Sequence, residues 1–195
     1  MSIPARTVPA SLLYAEGARD IGELYRAHAG SVARWASRLG GPGIDVEDVV
    51  QEVFLVAKRR LGPFTGEGHV TTWLFRTTAN ITATARRKQK RLARWLGRAE
   101  AEGPGLGAAG PLPGEALEQR QQAELVYRVL DALPERLRRV LVLFEMEGLS
   151  TPEIGVLMNA RVGTVRVWLF RARAKFQERY QATADGGEPE GDVSP

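Results

Sequence analysis

Residues 97–116 read GRAEAEGPGLGAAGPLPGEA, and no other stretch limits the possible architectures so strongly. Glycine and proline disfavour helix and strand interiors, and the stretch has no apolar period from which a core could form. It separates two blocks rich in helix formers, about residues 20–95 and 118–181. The predicted organisation is therefore a flexible N-terminus (1–19), a first helical domain (20–95), a flexible linker (96–117), a second helical domain (118–181) and a disordered acidic tail (182–195). A coil of ~25 residues has a root-mean-square span of roughly 25–30 Å and a limit of about 85 Å. Two small domains so joined can reach well-separated sites on a larger partner.

Both blocks carry apolar residues every three or four positions, and neither shows strand-like alternation, so the fold class is all-α. Ile21, Leu24, Tyr25, His28, Val32, Trp35 and Leu39 form one stripe, which Gly40-Gly41-Pro42 ends. Asp45 is placed to cap a second helix that buries Val46, Val49, Val50, Val53 and Ala57. A third helix, from about His69, sets Val70, Leu74, Thr78, Ile81 and Ala85 on one face. In the second block Pro134 stands near a helix start, Leu137, Val140, Leu141 and Phe144 share a face, and Gly148 stops the helix.

The net charge of +4 is unevenly spread. Arg86 to Arg98 holds seven Lys/Arg and no acid; Arg161 to Arg179 is basic apart from Glu178. Residues 181–195 carry Asp185, Glu188, Glu190 and Asp192 without a base. Local cationic runs suit a polyanion, because Lys and Arg on phosphates release condensed counterions. They also suit a merely solvated helix face. No run approaches the ~20 apolar residues of a membrane span, and the start lacks the basic-then-apolar pattern of an export signal. With cysteine absent, disulfides, thiolate metal sites and thiol nucleophiles are excluded, which fits a cytoplasmic protein without membrane insertion.

The stretch from Gly148 to Arg166 carries most of the information in the second block. Ser150 and Glu153 form an S-x-x-E capping box, and Pro152 is tolerated in a first helical turn. Ile154, Leu157 and Met158 give a short helix its buried stripe, and Gly155 leaves room for a neighbouring helix. After a turn at Asn159–Gly163 a second, basic helix buries Val165, Leu169, Ala172 and Phe176. This is the pattern of a helix-turn-helix, whose second helix is expected to enter the DNA major groove; a structural helix pair with merely solvated arginines is the alternative. Arg161 and Thr164 lie at its N-terminal end; Arg166, Val167, Phe170, Arg171 and Arg173 complete the candidate duplex-reading set. Arginine can pair with guanine edges and Val167 can meet a thymine methyl.

Asp45-Val-Glu-Asp-Val-Val-Gln-Glu-Val-Phe-Leu-Val-Ala57, then Thr72-Trp-Leu-Phe-Arg-Thr-Thr-Ala-Asn80 and a basic run, resembles region two of bacterial sigma factors. Leu133-Pro-Glu-Arg136, Gly148-Leu-Ser150 and Gly163-Thr-Val-Arg166, with Arg171-Ala-Arg-Ala-Lys-Phe176, resembles region four. With only those regions and a linker, the chain resembles an extracytoplasmic-function sigma factor. The resemblance implies bacterial core RNA polymerase and promoter DNA as partners, and makes an anti-sigma factor a further one. It implies that Asp48, Gln51, Glu52 and Leu55 dock on the clamp helices of the largest polymerase subunit, and that region four also touches the flap of the second-largest. It assigns the melted minus-ten strand to Trp73, Arg76, Asn80, Arg86, Arg87 and Lys88, with Phe64 of the Gly62–Gly68 loop against a flipped base. Trp73 and Phe75 have packing as their alternative. Where the family commonly shows serine, arginine, leucine and histidine after Gly163-Thr-Val-Arg166, this chain has Val167, Trp168, Leu169 and Phe170. An atypical minus-35 element, or readout of DNA shape, is the implied consequence.

No catalytic constellation is visible, so neither an enzyme nor a cofactor is expected. His28 falls on an apolar stripe and reads as a satisfied core or boundary histidine, and His69 stands in a Gly-rich loop. Two histidines without cysteine give no zinc spacing. Gly66-Glu-Gly68 is too short for a phosphate cradle, and Asp45, Glu47, Asp48 and Glu52 spread around one helix. A stand-alone LuxR-like regulator would use only residues 133–180, and an RNA-binding scaffold only the basic run. Neither accounts for the polar-acidic face at Asp48–Glu52.

Overall fold

The structure, a computed structural model, describes residues 21–60, 70–100 and 114–184. Three helices form the first unit: α1 (Ile21–Gly40), α2 (Val46–Arg60) and α3 (Val70–Glu100). The second comprises α4 (Gly114–Asp131), α5 (Glu135–Leu141), a π-helical turn (Val142–Met146), α6 (Thr151–Met158) and α7 (Val162–Ala184). All described elements are helical, as the periodicity predicts.

In the first unit each helix packs on the other two. Leu24, Val32, Trp35 and Leu39 of α1 meet Val49, Val53, Phe54 and Ala57 of α2 and Leu74, Phe75 and Ala79 of α3. Trp35 and Phe75 stand edge to face, centroids 5.4 Å apart, a geometry contributing about 0.5–1.5 kcal/mol beyond area burial. Phe75 is therefore packing. Asp45 caps α2 as its position predicts, its Oδ1 accepting from the Asp48 N–H at 3.0 Å.

Domain limits shift by a few residues. α3 continues to Glu100, beyond the expected end at 95 and through Gly97. α4 begins at Gly114, inside the expected linker, and α7 runs three residues past 181. Residues 1–20, the remaining linker stretch 101–113 and the tail from 185 lie outside the described residues, as does the Gly62–Gly68 loop with Phe64.

The two units share one continuous core, which the two-domain division did not anticipate. α6 packs on α3, so α3 buries a second stripe. Thr71, Phe75, Ala79, Thr82, Ala83 and Arg86 are all buried, whereas the expected Val70, Ile81 and Ala85 are half-buried. Gly41 lies at this junction with φ +82°, and a β-carbon there would stand 2.5 Å from the Tyr127 ring. Only glycine meets both demands.

Candidate nucleic-acid interface

The helix-turn-helix forms as its sequence predicts. Ser150 accepts from the Glu153 N–H, and the Glu153 carboxylate accepts from the Ser150 N–H at 2.8 Å, closing the capping box. Asn159 takes the left-handed conformation at φ 51° and ends α6. Gly155 makes room for the turn itself: a β-carbon there would lie 2.9 Å from the Ala160 carbonyl oxygen. The next helix is close as well: the Cγ2 of Val162, which begins α7, would lie 3.9 Å from the same β-carbon, as the expectation of a neighbouring helix requires. The Ala160 N–H in turn donates to the Gly155 carbonyl at 2.8 Å.

Val165, Leu169 and Ala172 seat α7 in the core, with Phe176 half-buried. Arg161, Arg166, Val167, Phe170 and Arg171 are exposed, and Thr164 half-exposed. Phe170 is 75% exposed and Val167 48%, an apolar pair with arginines beside it. Both are open to solvent, where an apolar pair flanked by arginines is free to meet a partner. Arg173 differs from the rest of the set. Its guanidinium pairs with Glu145 at 2.7 Å and lies over the Phe144 ring. Trp168 is half-buried beneath the Arg136 guanidinium.

On α2 the face opposite the core presents Asp48, Gln51, Glu52 and Leu55, all exposed, Leu55 at 53%. Asp48 and Glu52 form no ion pair among the described residues. An unpaired acidic face around an exposed leucine suits a protein partner better than a phosphate.

The α3 set is split. Arg76, Asn80, Arg87 and Lys88 are exposed, and Trp73 is half-buried. Arg87 folds back onto the Ala83 carbonyl and the Thr84 hydroxyl. Arg86 is only 7% exposed. Its Nε pairs with Asp131 at 3.1 Å and its Nη1 with Glu135 at 3.0 Å. Arg139 donates to Asn80 Oδ1 at 3.2 Å. Asn80, Ala83, Thr84 and Arg87 thus line a polar cleft closed by Glu135 and Arg139 of the second unit.

Sequence reasoning missed three features. Arg138 is fully buried, donating to the Leu39 carbonyl from Nε and Nη2 and to Asp131 from Nη1. Burial, and then the nearby Arg86, push its pKa down to about 10, against the pull of Asp131, Glu135 and Tyr127. It remains a cation at neutral pH. Glu147 is also buried, between Arg34 and Arg38 of α1 at 3.1 and 3.0 Å. The Glu147 N–H reaches the Val142 carbonyl five residues back, the π-helical pairing that apolar periodicity does not reveal. Lastly, Val126, Leu130, Leu141, Phe176 and Tyr180 line an apolar groove of about 630 Å³ beside α7.

Residues 24–92 match the family Sigma-70 region 2, and residues 123–176 match Sigma-70, region 4. The two regions, in that order on helical units, define an RNA polymerase sigma factor. The ECF RNA polymerase sigma-E factor of Escherichia coli strain K12 is 34% identical over 145 residues, 72% of this chain and 76% of that protein. Its Haemophilus influenzae counterpart is 34% identical over 163 residues, 78% of this chain and 81% of that one. CnrH, solved in complex with the cytosolic domain of CnrY, aligns with a TM-score of 0.56 and 26% identity, covering 89% of this chain and 95% of that one. The sigma factor RpoE of Bartonella quintana, solved with the anti-sigma factor NepR, aligns at 0.53 with 20% identity over 83% and 96% and shares the fold. The chain belongs to the extracytoplasmic-function type of the sigma-70 family. It is a regulatory protein that directs core RNA polymerase to specific promoters and initiates transcription there.

Proposed function

We propose that each exposed face described above serves one partner of the initiation complex. The α2 face of Asp48, Gln51, Glu52 and Leu55 docks on the polymerase clamp helices. On α3, Trp73, Arg76, Asn80, Arg87 and Lys88 hold the melted minus-ten strand, with Phe64 as a base contact, while Arg86, buried against Asp131 and Glu135, supports that surface from within. Arg161, Thr164, Arg166, Val167, Phe170 and Arg171 read the minus-35 duplex, with Arg173 steadied at its edge by Glu145. The apolar groove beside α7 suits the flap of the second-largest subunit. The factor acts in the cytoplasm and performs no catalysis; chemistry belongs to the polymerase. An anti-sigma factor is a further partner, as for the Bartonella relative solved with NepR.

The observation that carries this division of labour is the contrast between two exposed faces. The α7 face sets Arg166 and Arg171 beside Val167 and Phe170, while the α2 face is acidic and unpaired. Duplex DNA favours the first and excludes the second. Core-binding titration tests the assignment: Asp48→Arg with Glu52→Arg is expected to abolish association with purified core polymerase while leaving the helical circular dichroism intact. Unchanged binding would overturn clamp docking by α2. Run-off transcription from genomic templates then measures promoter-directed activity, which Arg166→Ala with Arg171→Ala should lower without affecting core binding.

A further inference from the structure

The last third of α3 stands clear of the core. Its final side-chain hydrogen bonds among the described residues come from Gln89, on the Gly43 carbonyl, and Lys90, on the Asp131 carbonyl. From Arg91 to Leu96 every side chain is exposed, Leu92 by 52%, Trp95 by 66% and Leu96 by 41%. At 100° per residue those three fall within an arc of about 100°, the width of the stripe that a surface helix ordinarily buries. Lys88 lies within the same arc one turn earlier, and Arg91 and Arg94 follow beyond its Trp95 edge. Arg91 and Arg94 form no ion pair among the described residues. Residues 86–98 contain no acid.

Such a face calls for an occupant that is anionic at its surface and apolar beneath. A nucleic-acid strand satisfies the cations but leaves the leucines in water. The strand set Arg76, Asn80 and Arg87 also points about 120–160° away from Leu92 around the helix. A protein partner ordinarily covers about 800 Å² on each side, whereas three side chains offer only a few hundred. A bilayer surface rich in anionic lipid meets both demands. Leucine and tryptophan enter the boundary between headgroups and acyl chains, and Lys and Arg meet the phosphates above it. The indole ring is itself suited to that boundary, one end apolar and the other polar. Because the segment continues α3, it is already helical and bears no nucleation cost on binding.

We infer that the Leu92–Trp95–Leu96 arc of α3, with Lys88, Arg91 and Arg94 beside it, is a contact for an anionic phospholipid surface. The helix lies on that surface and does not span it; no described helix is long and apolar enough to cross a membrane. The inference goes beyond the promoter-directing role and does not depend on the minus-ten assignment.

Co-sedimentation tests it on the full chain. Vesicles of equal parts phosphatidylglycerol and phosphatidylcholine should bind the factor at low salt, and vesicles of phosphatidylcholine alone should not. Leu92→Gln with Trp95→Gln and Leu96→Gln keeps good helix formers at exposed positions and should weaken binding about tenfold. Arg91→Ala with Arg94→Ala should weaken it roughly thirtyfold. Arg166→Ala with Arg171→Ala, on the other basic face, should leave it unchanged. The chain has four tryptophans, so the one at the surface is identified by difference. Trp95→Phe should bind as the unsubstituted chain does yet lose the blue shift of emission that accompanies binding. Failure to bind the mixed vesicles overturns the inference, as does a blue shift that survives Trp95→Phe. Binding that the glutamine variant retains in full, or that falls equally with Arg166 and Arg171 replaced, leaves charge alone as the cause and also overturns it. A glutamine variant that keeps vesicle binding but loses promoter-directed transcription assigns the arc to nucleic acid instead. One that keeps vesicle binding but loses self-association in light scattering assigns it to a second copy of the chain.

Discussion

His28 lies on the α1 stripe, buried, and its Nδ1 has no hydrogen-bond partner among the described residues. It is thus a core histidine, as its position predicts, but not a fully satisfied one. Burial lowers its pKa from the usual 6.5. The unfolded chain therefore binds a proton near that pH when the folded chain does not, and stability is lost as pH falls below about 6.5. Thermal melts should show a lower Tm at pH 5.5 than at pH 7.5, and His28→Leu should flatten the difference. An equal slope in the variant would place the pH dependence elsewhere. Phe170 and Val167 make a second residue-level prediction. Their exposed apolar surface should favour thymine methyls, each worth about 0.8 kcal/mol, or roughly fourfold in affinity. Minus-35 sequences selected by the holoenzyme should be thymine-rich, and deoxyuridine in place of thymine should weaken binding. Phe170→Ala with Val167→Ser should make the factor indifferent to that replacement. Undiminished sensitivity in the variant would assign the methyl contact to other side chains.

At the level of elements, α6 is specified locally. Its capping box, Pro152 and the left-handed Asn159 set its two ends, and all three are written in adjacent residues. Ser150→Ala should cost about 1 kcal/mol in urea unfolding. Gly155→Ala should cost about 1–3 kcal/mol, because the added methyl meets the backbone carbonyl of Ala160 and cannot displace it cheaply. A neutral Gly155→Ala would mean that the turn relaxes freely and does not fix the angle between α6 and α7. The limits of α3 and α4 were less legible than those of α6. Neither carries a strong stop signal near residue 95 or a start signal near 118, so composition alone misplaced them. The π turn was invisible for a related reason: one extra residue in a turn leaves the surrounding apolar spacing almost unchanged.

For the molecule as a whole, the continuous core and the buried Arg138 tie the two units together, and cooperative unfolding is the expected consequence. Hydrogen exchange in the free factor should report similar opening free energies for core amides of α1 and α5. Arg138→Met should destabilise both by about 1–3 kcal/mol, since it leaves the buried Leu39 carbonyl without its donor while Asp131 keeps Arg86 and Lys90. If only α5 loses protection, the units fold independently.

The sequence alone determined the helical class, the helix-turn-helix and the outward faces of α2 and α7. Each depends on periodicity, caps and charge among residues close in the chain, where local stereochemistry decides. The tertiary structure decided what the α3 cations do. Whether Arg86 and Lys90 face solvent, a strand or Asp131 depends on partners 41 to 49 residues away. No local rule relates such positions. The helical pattern that predicts α3 is the same whether its second face meets DNA or the rest of the chain.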